Sequence, residues 1–148
     1  MREVSRALLL DDAGRLLLLH WRDPLTGHEF LEPPGGCREA GETDEDALRR
    51  EVTEETGLVG VEVGAFLAEI DHAFTFAGVH YDCRERYYEC RAAGSELHPT
   101  RLDKVERDGI VDIEWWTAED LGACPPNSLE PPQLLEMIRG LEETSSKS

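Results

Sequence analysis

Residues 36–58, GCREAGETDEDALRREVTEETGL, decide how this chain is read. A Gly-Gly pair, Gly35 and Gly36, leads into a polar stretch, and Thr43 then offers a helix cap. Asp46, three residues on, completes a box-like capping pattern. Asp44, Glu45 and Asp46 put negative charge in the first turn, where the helix dipole favours it. Gly57 suits the left-handed residue that closes a helix, and Leu58 supplies the apolar contact beyond it. The spacing predicts a helix over Asp44–Thr56.

On that helix Glu51, Glu54 and Glu55 stand at i, i+3 and i+4, so they share one arc. Leu48 and Val52 sit beside the arc and would anchor the helix on a sheet. Glu54 and Glu55 fall in the last turn, where the dipole disfavours carboxylates. Arg50 precedes Glu54 by four residues, the weaker ion-pair orientation. A helix built only for stability would avoid this arrangement. Oxygen-only clusters suit hard cations such as Mg2+ or Mn2+. The plainer alternative is a solvated acidic face on an acidic protein.

The chain is acidic throughout, with a formal net charge of -17 over 148 residues. That field repels phosphate backbones and makes non-specific nucleic-acid binding a poor default. A phosphate-bearing substrate would need a local cation, most simply a divalent metal. The longest apolar runs, 7–10 and 16–19, are strand-sized, so no membrane span is expected. The N-terminus lacks a signal-peptide pattern. Cys37, Cys83, Cys90 and Cys124 form no CxxC pair and read as reduced thiols of a cytoplasmic protein.

Outward from the helix, the chain reads as strands around it. Val4 to Leu10 and Arg15 to Trp21 form a hairpin about the turn at residues 11–14. Arg22 to His28 is a loop, and Glu29 to Glu32 a short strand entering the turn Pro33-Pro34-Gly35-Gly36. Val59 to Ile70 is a strand, Asp71 to Gly78 a connection or an irregular strand, and Val79 to Ala92 a long strand. Ala93 to Gly109, with Gly94 and Pro99, is a polar loop. Ile110 to Trp116 is a strand, Thr117 to Leu121 a capped turn, and Cys124 to Pro132 a loop. Gln133 to Glu142 is a helix with Leu134, Leu135, Ile138 and Leu141 on one side. Residues 1–143 read as one domain, and 144–148 as a frayed tail. The pattern predicts an α/β fold, a layered α/β/α arrangement on a mixed sheet.

Gly36, five residues, Glu42, seven residues, and then Arg50-Glu51-Val52-Thr53-Glu54-Glu55-Thr56-Gly57-Leu58 spell GX5EX7REUXEEXGU, with U aliphatic. This resembles the Nudix box, with every defined position filled. The resemblance implies a Nudix-type α/β/α sandwich that hydrolyses a diphosphate bond, commonly in a nucleoside diphosphate derivative, using Mg2+ or Mn2+. It implies that Glu51, Glu54 and Glu55 are metal ligands, together with a backbone carbonyl at Gly35 or Gly36. Arg50 would orient the glutamates, and Glu42 would brace the loop against the helix. The general base varies among such families. Here it would be Glu51, Glu54 or a later acid, with Asp103, Glu106 and Asp108 as candidates.

Specificity in this family lies outside the box. The chain has no proline between Pro34 and Pro99, which counts against an ADP-ribose signature. Pro125-Pro126-Asn127 is similar to a Pro-Pro-x-Asn segment of MutT-type enzymes, offset by one residue, whose asparagine reads a base. Arg84, Arg86 and Arg91, with Tyr81, Tyr87 and Tyr88, are candidates to grip phosphate and stack a base. Trp115 and Trp116 are expected to split, one to the core and one to the cleft. His72 and His80 read as structural or solvent-facing.

The resemblance points first to a pyrophosphohydrolase acting on a small nucleotide, with (d)NTPs foremost. A nucleotide-sensing module without turnover and a prenyl diphosphate isomerase are the alternatives. RNA decapping is disfavoured by the charge. A homodimer is within the family's repertoire.

Overall fold

A computed structural model describes residues 1–94, 96–98, 102–125 and 127–146. Seven strands make one mixed sheet: β1 (Arg2–Leu10), β2 (Leu16–Arg22), β3 (Glu29–Glu32), β4 (Gly35–Cys37), β5 (Glu62–Phe76), β6 (Val79–Arg91) and β7 (Ile110–Trp116). The main order is β3-β2-β1-β6-β5. β4 also pairs with β1, and β7 with β2. Only β1 and β6 run parallel among these pairs. The described residues also form four helices: α1 (Asp44–Thr56), α2 (Lys104–Gly109), α3 (Ala118–Gly122) and α4 (Leu134–Ser146).

The apolar runs explain the layers. A strand buried on both faces reads as a continuous hydrophobic run rather than an alternation. In β1, Ala7 and Leu9 point to one face and Leu8 and Leu10 to the other. The first pair joins Leu17, Leu48, Val52 and Leu58 in a core under α1. The second pair joins Leu16, Leu18, Leu121, Leu134 and Ile138 in a core under α3 and α4. The result is the expected α/β/α sandwich. α1 has the expected bounds, with a Thr43–Asp46 capping box and Gly57 as its left-handed cap.

Several boundaries differ from the sequence reading. β5 begins at Glu62, and of the two readings of Asp71 to Gly78 the strand holds as far as Phe76, after which a two-residue turn at Ala77-Gly78 returns the chain into β6. Both turn residues have positive φ, 52° and 81°. That mirror-image turn matches the strand twist, and a glycine at its second position makes it affordable. Alanine in the first position hid the turn in the sequence. Gly35 and Gly36 are not a turn but part of β4, paired to Arg6 and Ser5 of β1. The polar segment before β7 contains α2, while its Pro99 lies outside the described residues. α4 starts one residue later than expected and runs through Ser146, and residues 147 and 148 lie outside the described residues. Trp115 packs on the α1 core and Trp116 on the α4 core, and neither lines the cleft. The four cysteines are free thiols. No described helix is long and apolar enough to cross a membrane.

One ionic cluster crosses the sheet interior. Arg6 pairs with Glu85 and Glu32, each at 3.2 Å, and Glu85 accepts the Tyr87 hydroxyl at 2.7 Å. His72 sits between Glu130 at 3.2 Å and Glu85 at 3.6 Å. Burial works to raise the Glu85 pKa, but Arg6 and His72 outweigh it and hold it down. Glu130 and Glu85 push the His72 imidazolium up to about 10. A raised cationic pKa adds stability that is full below the unfolded value, about 6.5, and is lost as pH climbs through the folded value. His72→Gln should therefore cost about 2 kcal/mol at pH 6 and nothing above pH ~10. Urea denaturation of both proteins across that range measures this, and a pH-independent difference would refute the charged pair.

Candidate active site

The site is built on the last turns of α1 where they face β4. A cleft of about 660 Å3 opens there, with Glu51, Glu54 and Glu55 on its wall. Glu55 is 1% exposed and accepts the Gly35 N–H at 2.9 Å. Glu51 lies against Gly36, where a Cβ would come within 2.6 Å of the carboxylate. A side chain at residue 36 would therefore displace Glu51, which is why the glycine is needed.

Arg50 is the tie between loop and helix. Its Nε and Nη2 donate to the two Glu42 oxygens at 2.8 and 2.9 Å, a forked geometry. Nη2 also donates to the Cys37 carbonyl at 3.1 Å. Nη1 reaches Glu51 at 2.9 Å and Glu54 at 3.4 Å. The Arg50 hydrogen bonds hold the Glu42 carboxyl at about 2, well below the usual range. Arg50 thus orients Glu51 and Glu54 while anchored by Glu42.

A third element completes the cluster. α2 carries Glu106 into the cleft, and one carboxylate oxygen from each of Glu51, Glu55 and Glu106 lies within 4.8 Å of the others. Glu54 lines the same cleft but is not part of that trio. Burial, then the neighbouring Glu106 and Glu51, push the Glu55 carboxyl well up. Burial pushes Glu51 up to about 7 in spite of Arg50. A divalent cation among these oxygens would reverse both effects, and an all-oxygen donor set fits Mg2+ or Mn2+. The residues present therefore fit such an ion.

Glu106 had a signal in the sequence, because Asp103-x-x-Glu106 is a capping box. Asp103 accepts the Glu106 N–H at 2.8 Å, and Glu106 accepts the Asp103 N–H at 3.0 Å. The end of α2 rests on aromatic rings. A Cβ on Gly109 would meet Phe76 at 2.8 Å and Trp21 at 2.9 Å. Asp103 also lines the cleft, whereas Asp108 pairs with Lys104 at 2.6 Å outside it.

Part of the cleft lining is aromatic. Trp21 and Phe30 are near-parallel with centroids 6.4 Å apart, and Phe76 meets both edge-on. Phe74 stacks on Tyr81 at 5.1 Å, beneath Arg2. The β5–β6 hairpin reaches over to make this wall. Its Ala77 N–H donates to Asp23 at 3.1 Å, beyond β2.

The other substrate candidates lie elsewhere. Arg84 and Arg86 occupy the face of β6 opposite Tyr81 and Cys83, as the period of two requires. There they pair with Asp71 at 3.2 Å and Glu69 at 3.1 Å, off the cleft. Tyr87 is on the cleft-side parity but is 0% exposed, buried beneath the α4 core. Asn127 is exposed on the turn before α4 and does not line the cleft. Pro126 lies outside the described residues. Arg91 pairs with Glu89 at 2.9 Å, and Tyr88 donates to Asp44. His80 is exposed near Thr75.

A family model described as the NUDIX domain matches residues 1–138. The chain belongs to the NUDIX family. An 8-oxo-dGTP diphosphatase from Haemophilus influenzae is 38% identical over 77 residues, 50% of this chain and 51% of that protein. The match thus spans about half the length of that curated relative. A MutT NUDIX hydrolase from Burkholderia pseudomallei superposes with a TM-score of 0.66 at 28% identity, over 92% of this chain and 96% of that one. A NUDIX hydrolase from Nitrosomonas europaea gives a TM-score of 0.70 at 22% identity, over 97% and 89% of the two chains, a likeness of fold.

Gly36→Ala tests the cluster directly. The added methyl should push Glu51 away and weaken Mn2+ binding by about tenfold or more, with the melting temperature little changed. Calorimetric titration with Mn2+ measures it. Unaltered affinity would show that the trio does not hold the ion.

Proposed function

We propose that this protein hydrolyses a diphosphate bond in a nucleoside diphosphate derivative, with (d)NTPs as the substrate class, in a reaction that needs Mg2+ or Mn2+. The observation that carries the reading is the trio Glu51, Glu55 and Glu106, held within 4.8 Å inside one cleft of a very acidic protein. Such a set has little use unless a cation joins it. The Haemophilus influenzae relative, an 8-oxo-dGTP diphosphatase, supports the substrate class.

Glu51, Glu55 and Glu106 would hold the ion, with a backbone carbonyl at Gly36 as a further ligand. When bound, the ion supplies charge neutralisation of the phosphates and acidification of water. Arg50 is a positioning residue, since it orients Glu51 and Glu54 through Nη1. Glu54, on the cleft wall beside the trio, accepts the proton of the attacking water. The water oxygen bonds to phosphorus and the phosphoanhydride P–O bond breaks. A (d)NTP then yields the nucleoside monophosphate and pyrophosphate. The complete set of glutamates counts against a sensor that turns nothing over.

A panel of (d)NTPs, oxidised dGTP, dinucleoside polyphosphates, ADP-ribose and nucleotide sugars tests this reading, with products identified. Pyrophosphate release from a (d)NTP should cease with EDTA and return with Mg2+. Glu54→Gln should lower the rate by a factor of about 100 or more while leaving Mn2+ affinity within about twofold. Glu106→Gln should instead weaken Mn2+ binding. Full activity of Glu54→Gln would end its assignment as proton acceptor, and no release from any substrate would end the hydrolase reading.

A further inference from the structure

α2 brings Glu106 to the acidic cluster, but α2 does little to fix its own place. Apart from Glu106 itself, its polar contacts close on neighbouring residues of the same segment. Asp103 caps it, Lys104 pairs with Asp108 at 2.6 Å, and Arg107 donates to the Leu102 carbonyl at 3.1 Å. A helix of six residues is too short to be stable alone. Ionised, the cluster pushes Glu106 away rather than holding it. The buried residue of α2 is Gly109, where a Cβ would meet Phe76 at 2.8 Å and Trp21 at 2.9 Å. That close approach seats α2 on two rings, so Glu106 is only as fixed as Phe76 is.

Phe76 stands on an overhang. β1 begins at Arg2, which pairs with Cys83, so Asp82 and the residues before it in β6 have no β1 partner. Among the described residues, Ala73 to Phe76 of β5 pair only with Val79 to Asp82. The hairpin thus runs past the end of the sheet, and a two-stranded ribbon alone is marginally stable in water. Asp23 holds its tip. That residue lies in a loop yet is only 4% exposed. Its Oδ1 accepts the Leu25 N–H at 2.8 Å and the Thr26 N–H at 3.3 Å, which shapes the turn after β2. Its Oδ2 makes one long-range contact, to the Ala77 N–H at 3.1 Å, 54 residues away. Leu25 packs at the same place, 3.1 Å from where a Cβ on Gly78 would stand. One oxygen of Asp23 therefore serves the turn and the other serves the hairpin.

We propose that Asp23 is a positioning residue for Glu106. It fixes the hairpin tip, the tip sets Phe76, and Phe76 with Trp21 seats the end of α2. Trp21 belongs to the same linkage, since it stands two residues before Asp23 at the end of β2. The inference rests on the metal reading above, in which Glu106 helps to hold the ion. It adds to that site a residue that does not line the cleft. Asparagine separates the two duties of Asp23. Its one carbonyl oxygen keeps the two turn bonds, and its NH2 group then meets the Ala77 N–H as donor against donor.

Amide exchange read by mass spectrometry, without metal, follows α2 directly. The Arg107 and Ile110 amides donate to the Asp103 and Glu106 carbonyls. Asp23→Asn should speed exchange over residues 107–110 about tenfold and leave α1 unchanged. Calorimetric titration with Mn2+ reads the consequence at the cluster. Asp23→Asn should weaken Mn2+ binding about tenfold in the wild-type background, but less than about twofold in a Glu106→Gln background. A merely structural loss would act equally in both. Asp23→Ser, whose hydroxyl keeps the turn and is too short to reach Ala77, replaces the asparagine variant if that one does not fold. Unchanged exchange over 107–110 would overturn the proposal, as would equal losses of Mn2+ affinity in the two backgrounds. Failure of both variants to fold would also overturn it, because Asp23 would then hold the whole fold rather than α2. If Glu106→Gln alone binds Mn2+ as the wild type does while exchange over 107–110 still rises, the metal role of Glu106 falls and Asp23 remains the residue that places it.

Discussion

Three carboxylates within 4.8 Å of one another inside a cleft repel, and much of the surrounding structure works to hold them there. Arg50 supplies the opposing charge, and Glu42 and the Cys37 carbonyl prevent it from swinging away. The Gly35 N–H fixes Glu55 from the sheet side. Gly36 leaves the space that Glu51 occupies. None of these contacts removes the repulsion. They pre-organise an anionic cluster at the end of α1, where helix energetics disfavour carboxylates.

The second constraint is the reach of the β5–β6 hairpin. Starting from the far edge of the sheet, it crosses to the β2–β3 side and brings Phe76 against Trp21 and Phe30. The same rings support the end of α2 at Gly109. The aromatic wall and the position of Glu106 are therefore parts of one packing unit. A single hairpin and a six-residue helix give the cleft both an apolar end and its third carboxylate.

Charge is distributed with the same economy. A chain with a net charge of -17 would turn phosphates away, yet the cleft gathers Arg2, Arg6, Arg38 and Arg50 near its acids. Arg6 and Arg50 are both committed to carboxylates, so they organise the walls more than they offer free charge. On the function proposed above, attraction of a polyphosphate would depend on a bound cation, which would couple substrate binding to the metal.

The sequence by itself determined α1, its caps, and the arc of Glu51, Glu54 and Glu55. Each of these is set by local rules: cap chemistry, a period of 3.6, and fixed spacing in a continuous stretch. It also determined the three layers, because doubly buried strands leave unbroken apolar runs. Only the tertiary structure decided which residues meet across the chain. Glu106 is 51 residues from Glu55, and its approach depends on where α2 settles on Trp21 and Phe76. Arg84, Arg86 and Tyr87 have suitable chemistry, but strand parity and burial turn them from the cleft, while Glu32 and the aromatic wall gave no local sign. Periodicity says which residues share a face. What that face meets is set by packing between distant segments, and the aromatic wall of the cleft is made wholly of such meetings.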